Sequence, residues 1–296
     1  MAALAAVLVM RSFHGESAAK VIQAQVAAEI SPPIYAPNPA SGANKIKDPV
    51  AAPLTDFPAS VGADPQSRYK FAKNCAKFRQ FDSFYKSQAA SNPNWPLNNA
   101  KALAAADPEL RNGIIATSRF LDQNREVCQP WLDSTPQDLA NAQIYDASLR
   151  AALQGNKDAA ACYILAAWQQ PGSDSSYYAD MLKNYTDNVG NFIHEGLMSG
   201  NWPIVLAAYK ASLKENDLQA KVEISNKDSY LIARLAQQAS PDGLAEEQFG
   251  YEAANRSRNL PASDVIDIDK QAAGLFASKF GRRKVSVQSV IDMCVN

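Results

Sequence analysis

Four cysteines, Cys75, Cys128, Cys162 and Cys294, are the residues of this sequence whose type and spacing say most about chemistry. Thiols that hold zinc or exchange electrons come in close Cys-x-x-Cys pairs, and none of the four is so placed. An even number at wide spacing suits structural disulfides in an oxidising compartment; the alternative is four buried free thiols, which pack as small apolar side chains. Four cysteines allow three connectivities. The preferred one joins Cys75 to Cys128 and Cys162 to Cys294, because the first bridge would staple the front helices, adding about 4 kcal/mol by loop entropy.

The other reactive side chains point to little recognisable reaction chemistry. His14 and His194 are the only histidines, too few for a zinc site of several imidazoles, and no His-Glu-x-x-His is present. His194-Glu195 reads as a solvated pair on a helix surface. No nucleophile elbow, phosphate loop or dinucleotide fingerprint occurs. Asp264, Asp267 and Asp269 in SDVIDID lack the glycine and closing glutamate of a calcium loop; Ser263 is expected to cap a helix whose first turn carries the acids, as the helix dipole favours. The sequence thus specifies no catalytic residue, no metal ligand and no cofactor. Its 30 acidic residues can still supply a carboxylate pair in three dimensions, which keeps a hydrolase or lyase acting on envelope polysaccharide as the alternative. Tyr177, Tyr178 and Tyr185, with Trp168 and Trp202, either line a concave groove for a peptide or helix or pack between helices.

The elements that would position these residues are helices. Asp64-Pro65, Asp107-Pro108, Thr135-Pro136 and Ser240-Pro241 each place a capping side chain before a proline whose missing donor costs nothing in a first turn. Asn94-Trp95-Pro96 and Asn201-Trp202-Pro203 vary the device, with Trp covering the helix entrance. Phe71, Cys75, Phe78, Phe81 and Tyr85 share one helical face, as do Leu139, Ala142, Tyr145, Leu149 and Ala152. KVSVQSV near the C-terminus is the one strand candidate. The fold class is all-α: stacked antiparallel helix pairs, solenoid-like or irregular, following a proline-rich linker.

Gly113, Gly155, Gly200 and Gly243 recur at a period that suits a helix pair. The run from Ala151 through Gly155, Asn156 and Lys157 to Leu165 resembles the opening of a Sel1-like repeat, a relative of the tetratricopeptide repeats. The resemblance covers about twenty residues within 148–170. Such families are helical solenoids that bind or scaffold other proteins, so the resemblance implies a partner-binding role. The family's second-helix motif is not recognisable after Trp168, where Pro171-Gly172 stops the helix, and no functional residue carries over.

Lys and Arg total 29 against 30 for Asp and Glu, a near-zero balance that argues against nucleic acid as a partner. The basic run Gly281 to Lys284 reads as a helix-end cap. Residues 1–30 comprise the apolar run MAALAAVLVM, too short to span a bilayer, and a short amphipathic piece; the run is either a signal or anchor remnant or an ordinary helix. Residues 31–65 are a proline-rich linker able to stand a domain off a membrane, and 66–296 form the helical domain. These features lead to the expectation of a periplasmic or secreted domain, tethered through its N-terminus, that binds a protein partner without catalysis.

Overall fold

A computed structural model describes residues 57–92, 103–104, 106–241, 243–286, 289 and 293–294. The apolar head, His14, the linker before Phe57 and the first Asn-Trp-Pro at 94–96 lie outside the described residues. Within them run ten helices: α1 Pro65–Ser91, α2 Pro108–Ser134, α3 Gln137–Leu153, α4 Lys157–Ile164, α5 Ser176–Ser199, α6 Trp202–Ser212, α7 Asp217–Ala220, α8 Asn226–Ala239, α9 Gly243–Ser257 and α10 Ala262–Ser278. No strand occurs among the described residues; within KVSVQSV, Lys284 to Ser286 are irregular and Ser289 is helical. Instead of meeting a partner strand, Val285 N–H donates to the Ala239 carbonyl (2.8 Å) and Lys284 Nζ to that of Gln238 (2.9 Å). The basic run closes two helix ends: Lys284 reaches the Gln238 carbonyl at the end of α8, and Arg282 N–H donates to the Phe276 carbonyl in the last turn of α10 (2.9 Å).

Capping explains several of the starts. Asp64 accepts from Ser67 N–H at 2.9 Å, and Asn201 accepts from Ile204 N–H at 3.1 Å with Trp202 as the first helical residue and Pro203 next to it. Three expected caps differ. Pro136 itself occupies the cap position of α3, without a side-chain bond, where Thr135 was expected. Ser240 closes α8, donating its hydroxyl to Ala236 O at 3.1 Å, and α9 opens only at Gly243. Pro261 precedes α10, which leaves Ser263 inside the first turn. A proline's fixed φ is compatible with the cap position as well as the first turn, so the dipeptide locates a boundary to within a residue or two.

Packing runs in chain order. The α1 helix lies on α2 and α3; α3 meets α4 and α5; α4 meets α5 and α6; α6 meets α5 and α8; and α8 carries α9 and α10. The packed body already includes Phe57, whose ring lies 5.8 Å from that of Trp131 and 5.7 Å from Phe71. The front stripe on α1 is buried at Phe71, Cys75 and Phe78, with Phe81 and Tyr85 packed against the core. The α3 stripe understates its helix: every residue from Ala140 to Tyr145 is buried, Asn141 and Gln143 included. Helices covered on several sides lose the one-faced pattern from which burial is read. The phenol hydroxyls of Tyr145 and Tyr185 donate to the carbonyls of Trp168 (2.8 Å) and Ile164 (2.6 Å), so these rings enter the core with their polar ends satisfied.

The α3–α4 and α5–α6 pairs share a joint. Gly155 (φ 89°) and Gly200 (φ 70°) turn the chain in left-handed conformation, and the next residue, Asn156 or Asn201, caps the following helix. The other two glycines of the proposed period stand elsewhere: Gly113 lies inside α2 and Gly243 opens α9.

Candidate binding site

The structure joins Cys75 of α1 to Cys128 of α2, with Cα atoms 5.1 Å apart, and Cys162 of α4 to Cys294, with Cα atoms 5.3 Å apart. All four cysteines are buried, and there is no free thiol among the described residues. These are structural bridges: each ties sequence-distant segments inside the core.

The remaining sequence candidates do not converge. His194 is exposed on α5, while neighbouring Glu195 pairs with Lys157. Asp264 pairs with Lys227 (2.9 Å). Asp269 accepts from Tyr230 Oη (2.8 Å) and Arg234 Nε (2.7 Å). Burial, with the Asp269 hydrogen bond and charge behind it, pushes the Tyr230 hydroxyl up to about 12. The described residues contain no group of three or more His, Cys, Asp or Glu arranged to hold a metal ion. Among the aromatic candidates, Tyr185, Trp168 and Trp202 are buried. They pack between helices, and Tyr178 is packed partly buried against the same core. Burial raises the Asp146 carboxyl, with Arg150 and Arg68 opposing; its closest bond is from Arg150 Nε at 2.7 Å.

What the fold does assemble is a pocket of about 270 Å³ beside α6, lined by Trp202, Pro203, Leu206, Arg283, Val285, Ser289 and Met293. Each wall has a local cause. The Asn201 cap starts α6 so that Trp202, Pro203 and Leu206 fall on its first two turns. Trp202 is held by Phe280, ring centroids 4.2 Å apart, and by Phe276 at 6.1 Å. After Phe280 the chain reverses through Gly281 (φ 58°) and Arg282 (φ 54°), which returns Arg283 and Val285 towards α6. The opposite wall comes from Ser289 and Met293 near the C-terminus: the Cys162–Cys294 bridge and a hydrogen bond from Lys73 Nζ to the Met293 carbonyl tie Met293 to the core.

Among the described residues the lining is apolar apart from one guanidinium and one hydroxyl. Trp202 was visible in the sequence as a helix entrance; Arg283, Val285, Ser289 and Met293 were missed. The signal that could have found the last of them is Cys294, since any bridge from it to the helical core carries its neighbours along. Comparison of the chain with protein-family models, with curated proteins and with solved structures finds no match.

Proposed function

We propose that the protein is a non-enzymatic binding or scaffolding module working in an oxidising, extracytoplasmic setting, with another protein as its ligand. The observation that carries this reading is the outer face of α9. Leu244 and Tyr251, two helical turns apart, are 75% and 66% exposed, while Phe249 and Ala253 of the same helix are buried. Large apolar side chains aligned on a solvated face suit an aromatic-anchored contact with a partner. The two disulfides support the compartment, and the repeated Gly-Asn joint supports the helix-pair likeness from which a partner-binding role was inferred. No helix among the described residues is long and apolar enough to cross a membrane, and the N-terminal tether belongs to the proposal.

The full chain, immobilised with its disulfides intact and exposed to an envelope extract, is expected to retain one protein reproducibly. A Leu244→Asp/Tyr251→Asp double variant is expected to release it. Retention undiminished by the double variant overturns the α9 face as the contact. The second reading is a polysaccharide-acting hydrolase or lyase with an Asp/Glu pair; turnover of a glycan substrate by the full chain would establish it in place of the first.

A further inference from the structure

The outer face of α9 carries a pattern of size and charge that matches itself. The helix is held on α8 through Phe249 and Ala253, with Arg256 reaching Ser229 on the same side. At 3.6 residues per turn, Leu244, Glu247, Tyr251, Ala254 and Arg258 all fall within about 40° of the opposite direction. Each of the five is exposed. Arg258 stands just past the helix end, in the turn that continues it, with its N–H on the Asn255 carbonyl. Glu247 and Arg258 are the only charges on this stripe, because Glu246 and Glu252 lie round its flanks towards α8. Along the helix the stripe therefore runs acid, aromatic, small side chain, base.

We propose that this stripe is the contact between two copies of the chain, α9 against α9, antiparallel about a two-fold axis. With the axis level with the junction of Glu252 and Ala253, Glu247 of each copy faces Arg258 of the other, and each Tyr251 faces the smaller Ala254 of the other. A two-fold contact makes every such match twice, and opposed helix dipoles add to it. A parallel pairing sets Glu247 against Glu247 and Arg258 against Arg258, so the charges select the antiparallel one. This pairing rests on the reading of α9 as the contact face and names what covers it, a second copy. One helix face of about four turns buries less than the roughly 1,200 Å² of a standard interface, so the dimer is weak, half-formed near about 100 µM.

The test is sedimentation velocity of the full, disulfide-bonded chain from about 5 µM to about 500 µM, where the mass is expected to pass from monomer to mainly dimer. Glu247→Arg and Arg258→Glu, both at exposed positions, are each expected to weaken self-association about tenfold, since each sets two like-charge pairs in place of two opposite ones. An equimolar mixture of the two single variants is expected to dimerise like the parent, because every Arg then faces a Glu, and so is the doubly reversed chain Glu247→Arg/Arg258→Glu. Circular dichroism shows that the variants remain folded. A chain monomeric over the whole range, a dimer unweakened in either single variant, or a mixture that stays dissociated would each overturn the proposal. A monomeric chain whose partner from an extract is still released by Leu244→Asp/Tyr251→Asp removes the second copy and leaves the α9 contact standing, so the two failures are told apart.

Discussion

Asp146 shows what a partly buried, paired charge does at the edge of this core. Its carboxyl is raised above the ordinary aspartate value of 3.8, first by desolvation, with the Arg150 hydrogen bond and the charges of Arg150 and Arg68 working against it. A raised acid binds its proton more readily folded than unfolded. Its contribution to stability is therefore neutral below 3.8, where both states are protonated, and becomes a cost as pH rises through the folded value. Asp146→Asn keeps the shape and removes the charge. The expected outcome is a variant melting a few degrees above the parent at pH 7, at about 2–4 °C per kcal/mol for a chain of this size, with the gap closing as the pH is taken below 3.8. Thermal unfolding followed by circular dichroism at several pH values checks this; a variant less stable at pH 7 would mean that the Arg150 pairing outweighs burial.

Among the helices, the Gly-Asn joints separate two reasons for a glycine. At both joints φ is positive, 89° at Gly155 and 70° at Gly200, so any other L residue is strained there by roughly 1 kcal/mol. At Gly155 an added Cβ meets open space, whereas at Gly200 it runs into the backbone carbonyl of Lys279 at the end of α10. Gly155→Ala is therefore expected to cost about 1 kcal/mol and Gly200→Ala about 3 kcal/mol or more, since a backbone clash adds strain and repacking to the same dihedral cost. Urea unfolding of the two variants measures the difference. Equal costs would show that the α10 end yields freely, and would remove the reason for thinking the second joint is built against it.

For the molecule as a whole, the bridges set how the ends are held. The Cys75–Cys128 bridge spans 53 residues of sequence and the Cys162–Cys294 bridge 132. Loop entropy alone assigns them about 4 and about 5 kcal/mol, less whatever the native state loses in making them. Their consequences differ in kind, because the first joins two helices that already pack together while the second holds Met293 and Cys294 beside the pocket. Cys162→Ser/Cys294→Ser is expected to lower the urea midpoint and also to speed hydrogen exchange at Val285 and its neighbours, where Cys75→Ser/Cys128→Ser lowers the midpoint and leaves that exchange protected. Exchange measured by mass spectrometry distinguishes them, and equal protection of Val285 in both double variants would show that the hydrogen bonds of Val285 and Met293 hold the C-terminal residues unaided.

By itself the sequence determined the helical class, the front stripe on α1 and the helix entrance at Trp202, since each depends on local rules: helical spacing, the donor-free proline and the cap side chain; it left three cysteine connectivities open. Tertiary structure alone decided the rest. Ser240 and Lys284 both close α8, and α3 is buried almost all round, because neighbours in space rather than in sequence occupy those positions. Trp202 is a core ring because Phe276 and Phe280, more than seventy residues on, come to lie against it. The pocket exists only because a turn at Gly281 and a disulfide at Cys294 bring two late segments of chain to the head of α6; no periodicity records such a meeting, since it is set by long-range closure and not by any neighbour along the chain.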